Sequence, residues 1–206
     1  EVTVWMQAKH RHIHPLLGYR SKPQPQLISP WCRHGNLTDY LRENPFLSRI
    51  EKLQLAALGL AYLHSQKPPV SHADIKPENV LVNDSREAAL SDFGLSRVIQ
   101  DLDTSSGLTT SVTPKGTHNY LARELLAEQG SRPSCESDVY SFGGLVLTIM
   151  SGRPPFFEIP SGAIILRVML GQSPRPEEHP TLSAKDPLWG LMRQCWKSDP
   201  SIRPSM

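Results

Sequence analysis

A chain of 206 residues has room for one substantial domain with its own core and is short for two. Its 22 Lys and Arg stand against 20 Asp and Glu, a formal charge of +2 with the basic residues scattered, which excludes a nucleic-acid or membrane surface as main partner. Cys32, Cys135 and Cys195 are odd in number, dispersed and free of CxxC spacing, so a disulfide framework and a zinc site are excluded and a reducing, cytoplasmic location is the default.

Residues 1–9 carry neither a basic stretch nor a small-residue cleavage site, so no secretory or transit signal is read there. His10, His12 and His14 alternate, but no carboxylate or cysteine lies beside them to complete a metal site. The 19 prolines are nearly twice the usual share of about 5%. They gather at 22–30, 67–69, 154–160 and 174–187, which are read as loops. A strand is expected at 26–29 and a short helix at 36–42. Residues 47–65 place Ile50, Leu53, Ala57, Leu60, Ala61 and His64 at three-and-four spacing, which predicts a helix with that face buried. Short strands follow at 80–82 and 88–91. Residues 137–151 are apolar nearly all round, as a central buried helix is, and Ser141, Gly143, Gly144 and Thr148 keep the stretch short of the about 20 residues a membrane span needs. Helices at 163–170 and 187–196 complete a mainly helical α+β chain.

The chemistry concentrates in residues 70–94. Phosphoryl transfer demands positioned charge more than covalent chemistry. Asp74 offers a carboxylate to orient and deprotonate a hydroxyl, and Lys76 can offset charge on the transferred group. Asn79 and Asp92 supply the hard oxygen ligands that Mg²⁺ prefers. The chain between them is long enough for a hairpin that returns both to one place.

With those residues in view, His72-Ala73-Asp74-Ile75-Lys76-Pro77-Glu78-Asn79 resembles the catalytic loop of eukaryotic protein kinases, and Asp92-Phe93-Gly94 their metal-binding triplet. Residues 116–124 resemble the segment that receives the substrate, and 137–143 the start of the central helix, where Asp138 is implied to accept from the catalytic-loop backbone. Cys195-Trp196, Asp199-Pro200 and Arg203-Pro204 resemble the closing signature, with Arg203 implied to pair Glu124. Residues 26–40 resemble the hinge. That resemblance implies Ser29 as the gatekeeper, the Pro30 carbonyl and Cys32 backbone as the hold on adenine, Asp39 at the ribose and Leu81 under the base. The implied cofactors are ATP and Mg²⁺, bound by Pro30, Cys32, Asp39, Lys76, Asn79, Leu81 and Asp92.

Lys76 before Pro-Glu-Asn, and Thr117, which is implied to bond Asp74 and Lys76, mark the serine/threonine form. The hinge and the Cys-Trp ending are most similar to the tyrosine-kinase-like group. The resemblance therefore implies a protein-kinase-like α+β fold and transfer of phosphate to Ser or Thr of a protein substrate. A non-catalytic pseudokinase scaffold stays open as the alternative. Small-molecule kinases share the His-x-Asp loop but generally lack the 116–124 segment and the Ser-Asp-Val helix start, both found here.

Three departures carry expectations. Ala73 stands where many kinases have the arginine that clamps an activation-loop phosphate, although 101–114 is rich in Ser and Thr. Activity is therefore expected to depend little on loop phosphorylation. Alanine at all seven hydroxyls (Thr104, Ser105, Ser106, Thr109, Thr110, Ser111, Thr113) should leave turnover standing, and its loss in a folded protein would contradict this. Arg123 replaces a usual proline beside Glu124, which implies tuning. Finally, the Gly-rich loop and strand lysine of the small lobe are not in this sequence, and Glu1 aligns with the lysine's helix partner. The chain is thus expected to be a partial domain, helix end and hinge over 1–35 and large lobe over 36–206, which does not turn over efficiently alone. In the same alignment Trp5, Leu16, His72 and Phe93 stack as a hydrophobic spine.

Overall fold

Two capping boxes fix where the longest helices begin. The structure, a computed structural model, describes residues 5–6, 8–20, 22, 24, 26–92, 117–127 and 131–206, apart from the side chains of 55, 56 and 117. Phe93, Gly94, the 101–114 segment, Gly116 and Glu1 therefore lie outside the described residues.

The described chain opens with the buried Trp5, whose indole donates to the His14 carbonyl at 2.7 Å. The stretch that follows runs beside a later strand: the His14 amide donates to Leu90 and the Leu90 amide to His12. β1 (Gly18–Arg20) and β2 (Gln26–Ile28) then form an antiparallel pair with Gly18 opposite Ile28. Asn36 caps α1 (Leu37–Glu43) by accepting from the Asp39 amide. α2 (Arg49–His64) starts at a reciprocal box in which Ser48 accepts from the Glu51 amide and Glu51 from the Ser48 amide. β3 (Val80–Val82) and β4 (Ala88–Leu90) make the second antiparallel pair.

After the short α3 (Arg123–Ala127) comes α4 (Cys135–Ser151). Its box pairs Ser134 with Ser137, and Gly152 ends it in the left-handed region at φ 75°. α5 (Ser161–Met169) and α6 (Leu188–Cys195) follow. The core gathers around α4: Leu145, Val146 and Leu147 are fully buried in one cluster with Leu60 and Leu63 of α2 and Trp189 and Met192 of α6. The arrangement is α+β, helices with two small two-stranded sheets, as expected from the sequence. Among the described residues no helix is long and apolar enough to cross a membrane.

One buried-face expectation is corrected. Ile50 is 69% exposed, because the first turn of α2 runs past the end of the core. It lines a groove of about 700 Å³ with Leu47, Leu53, Ala57 and Arg11, and that groove contains none of the candidate site residues. Leu60 of the same predicted face is fully buried.

Gly59 is where α2 meets the chain ahead of β1. A Cβ there would lie 2.4 Å from the His12 carbonyl oxygen, which is held by the Leu90 amide, and 3.0 Å from the Leu90 side chain. Alanine gains about 1 kcal/mol of helix propensity, but forcing a pinned backbone apart costs up to about 3 kcal/mol. The clash dominates. Gly59→Ala should lower the melting temperature by about 6 °C, and an unchanged or raised melt would show that this contact yields.

Candidate active site

The loop between α2 and β3 has few regular hydrogen bonds of its own, so its shape must be imposed from outside. Asp138, 1% exposed on α4, imposes it. Its Oδ2 accepts from the His72 amide at 2.6 Å and its Oδ1 from the Ala73 amide at 2.8 Å. His64 at the end of α2 places Nε2 3.1 Å from Oδ2. A buried carboxylate needs such charge-assisted bonds to offset its desolvation. They also hold Ala73 at φ 73°, a left-handed conformation that costs an L-residue on the order of 1 kcal/mol.

His72 is completely buried and joins the two halves of the site. Its Nδ1 accepts from the Asp74 amide at 3.2 Å while Nε2 faces the Ser91 carbonyl at 3.0 Å, so the proton belongs on Nε2. Burial pushes its pKa down and keeps the ring neutral. One imidazole thus fixes Asp74 against the residue preceding Asp92.

Asp74 Oδ2 accepts from Lys76 Nζ at 2.6 Å and from Asn79 Nδ2 at 2.8 Å. Oδ1 takes part in neither bond. Asn79 sits in a single helical turn, Pro77–Asn79, and its Nδ2 also donates to the Asp74 carbonyl at 2.8 Å. Its backbone carbonyl accepts from the Ser91 amide at 2.9 Å, which sets Asp92 beside it. With Nδ2 so engaged, the Asn79 side-chain oxygen is left as a hard donor. Sequence reasoning thus named four residues that the fold gathers: Asp74, Lys76, Asn79 and Asp92.

Asp92 adopts φ 57°, again left-handed. Burial first, and the charge of Asp74 second, push its carboxyl above the usual range. Because the folded pKa is raised, this group favours the native state in acid, and that favour is lost as pH rises through the folded value. A pair of crowded carboxylates beside an amide oxygen fits a divalent cation whose remaining ligands come from phosphate and water. Among the described residues no cluster of three or more His, Cys, Asp or Glu forms a self-sufficient cage. At neutral pH without metal, Asp92→Asn should raise the melting temperature by about 2 °C. The gain should vanish at pH values where the wild-type carboxyl is protonated, and a variant that melts lower than wild type would contradict this electrostatic account.

The residues expected to form the hinge come to the same region. The Val82 amide donates to the Gly35 carbonyl, and Asn36 bridges Leu81, so β3 lies against the chain that follows β2. Leu81 is half-buried on the face opposite Val80 and Val82. Pro30 is exposed and Cys32 buried. Asp39 is already engaged, with Oδ2 accepting from Asn36 at 2.9 Å and Oδ1 from Arg42 at 2.6 Å. Trp5, Leu16 and His72 of the expected spine are all buried, and its fourth member, Phe93, is outside the described residues. Thr117 begins a short helical turn, but its side chain is not described.

Glu124 and Arg203 form the expected ion pair, bidentate at 2.6 and 2.8 Å, with the Arg203 side chain fully buried. Two positions gained roles the sequence did not reveal: His64, read only as core, and Ser91, the backbone relay between His72 and Asn79. Neither belongs to a local pattern, because their partners lie far away in the chain. The alternating histidines are occupied separately: His10 stacks on Tyr62 at 4.2 Å, His12 meets the Ala88 carbonyl at 2.9 Å, and His14 is buried.

Residues 1–206 match a family model described as protein tyrosine and serine/threonine kinase. Receptor-interacting serine/threonine-protein kinase 3 of Rattus norvegicus is 34% identical over 223 residues, covering all of this chain and 45% of that protein. Its Homo sapiens counterpart is 35% identical over 195 residues, covering 89% and 36%. The LRR receptor-like serine/threonine-protein kinase FEI 2 of Arabidopsis thaliana is 34% identical over 223 residues, covering 100% and 37%. The chain spans less than half the length of these relatives. It belongs to the protein tyrosine and serine/threonine kinase family, whose members use ATP and a divalent metal on protein substrates.

Proposed function

We propose that this chain supplies the catalytic centre of an ATP-dependent protein serine/threonine kinase. The observation that carries the reading is Asp74, held at Oδ2 by Lys76 and Asn79, which leaves Oδ1 for an incoming hydroxyl. Bound ATP supplies the γ-phosphoryl group, with Mg²⁺ as the proposed metal. Asn79 and Asp92 are the proposed metal ligands. Asp74 orients the acceptor hydroxyl and takes its proton, and Lys76 offsets negative charge on the transferred group. The Pro30 carbonyl, the Cys32 backbone and Leu81 are proposed to hold the base, with Asp39 at the ribose once Arg42 yields. Residues 1–35 serve as helix end and hinge, and 36–206 as the large lobe.

The seryl and threonyl preference rests on Lys76 with Thr117, and on relatives whose names carry serine/threonine specificity. Three free, dispersed cysteines support a cytoplasmic location. The competing reading, a scaffold without turnover, draws on Ala73 in place of an arginine, whereas the complete set of Asp74, Lys76, Asn79 and Asp92 speaks against it. Acceptor identity is the test: the intact protein is given γ-labelled ATP, Mg²⁺ and a generic protein substrate, and the labelled amino acids are separated after hydrolysis. Phosphoserine and phosphothreonine are expected; phosphotyrosine alone would overturn the specificity.

A further inference from the structure

The groove of about 700 Å³ beside α2 is lined by none of the residues of the proposed chemistry. One wall is the helix itself. Ile50, Leu53, Gln54, Ala57 and Leu58 recur at three-and-four spacing and form a single stripe along α2, apolar at all but one position. No element covers it: Ile50 is 69% and Leu58 48% exposed. Phe46, on the approach to the helix, is 98% exposed. A contiguous apolar strip at the surface marks an interaction site.

Another wall is the turn between β3 and β4. Asn83 holds that turn by itself: its Oδ1 accepts from the Ser85 and Glu87 amides at 2.9 Å each, and its carbonyl accepts from the Arg86 amide at 2.9 Å. Arg86 then stands at φ 60°, a left-handed position that glycine takes without strain. The turn needs nothing from the arginine side chain, and strain kept at such a position points to a use for that side chain.

The other charges at the groove are engaged. Glu87 pairs with Arg11 and accepts from Asn83, and Glu51 accepts from the Ser48 amide. Among the described residues the exposed Arg86 guanidinium has no ion-pair partner. The unmatched charge at the groove is therefore a cation.

We infer that this groove docks an amphipathic helix of a partner protein, which lays apolar side chains along the α2 stripe and sets a carboxylate against Arg86. The stripe from Ile50 to Leu58 runs about 12 Å at about 1.5 Å per residue, the length of two turns of a partner helix with anchors at i, i+4 and i+7. A basic helix is disfavoured, because both carboxylates of the groove are already answered. An acyl chain would cover the Gln54 amide and the Arg11–Glu87 pair without replacing their water.

The test pans a phage library of random peptides, each about four helical turns long, on the intact protein after subtraction on its Ile50→Glu variant. Enriched peptides should carry an apolar i, i+4, i+7 pattern with Asp or Glu beside it. Their affinity, read by fluorescence anisotropy, should fall about fivefold on Arg86→Gly, a change that relieves the turn and should not lower the melting temperature. Lysine in place of the peptide's acid should weaken binding to wild type about as much, and Arg86→Glu should restore it. The peptide-side change decides alone if an Arg86 variant does not fold. No enrichment over Ile50→Glu, enriched peptides without an acid, or an affinity indifferent to both charge changes overturns the inference. So does a groove that takes up laurate and no peptide. None of these readouts uses ATP, so the outcome is independent of the catalytic reading.

Discussion

Asp74→Asn should lower phosphoryl transfer about a thousandfold, within the range that loss of a positioned general base produces. The substitution keeps the side chain's size and leaves an oxygen to accept from Lys76 or Asn79, both of which now bond Oδ2. What it removes is the negative charge, and with it the affinity for a hydroxyl proton. ADP affinity should stay within about twofold, because on this account Asp74 touches the acceptor and not the nucleotide. Single-turnover kinetics with saturating ATP, beside a calorimetric ADP titration, separate the two effects. If both collapse together, Asp74 is holding the site's shape, and its role as base is wrong.

The second large effect concerns stability. Arg203→Ala should cost about 4 kcal/mol, the order found when one partner of a buried ion pair is removed, and lower the melting temperature by about 10 °C. The Arg203 side chain is fully buried. It binds both Glu124 oxygens, donates to the Lys197 and Glu136 carbonyls, and packs over the Tyr140 ring at 5.2 Å. Alanine leaves all of those acceptors without their donor. Arg203→Lys should recover only part of the loss, because an ammonium cannot reproduce the fork. Arg42→Ala is the control: its pair with Asp39 has side chains 70% and 41% exposed and should contribute less than about 0.5 kcal/mol. Chemical denaturation of the three variants checks the order, and an Arg203→Ala protein as stable as Arg42→Ala would contradict it.

Legibility in the sequence followed how local each constraint is. Asp74, Lys76 and Asn79 lie within six positions because, on the proposed function, one loop presents a base, a cation and a metal ligand together, so the pattern survives reading along the chain. The long helices were legible from their apolar spacing. α4 begins two residues earlier than expected because its capping box carries Ser137 at the third position, where Glu or Gln gives the stronger signal. β1 was not foreseen, since its three residues are half-buried or exposed and show no alternation. Nor was α3, a five-residue helix too short to express a period. Ile50 matched the buried stripe of α2 but sits where the helix has no neighbour over it. Asp39 could be placed near the hinge, yet its engagement by Arg42 and Asn36 depends on helix geometry. The His72 bridge is a tertiary fact, legible only after β4 returns beside the loop.

The account stands or falls on whether phosphate moves. The measurement is the time course of γ-phosphate transfer from ATP and Mg²⁺ to a protein substrate by the intact wild-type protein that contains this chain, with an Asp92→Asn sample alongside. The account predicts steady incorporation that stops when the metal is chelated and is absent in Asp92→Asn. Incorporation no greater than that of the variant, by a protein that still binds ADP, would contradict it and leave the scaffold reading in its place.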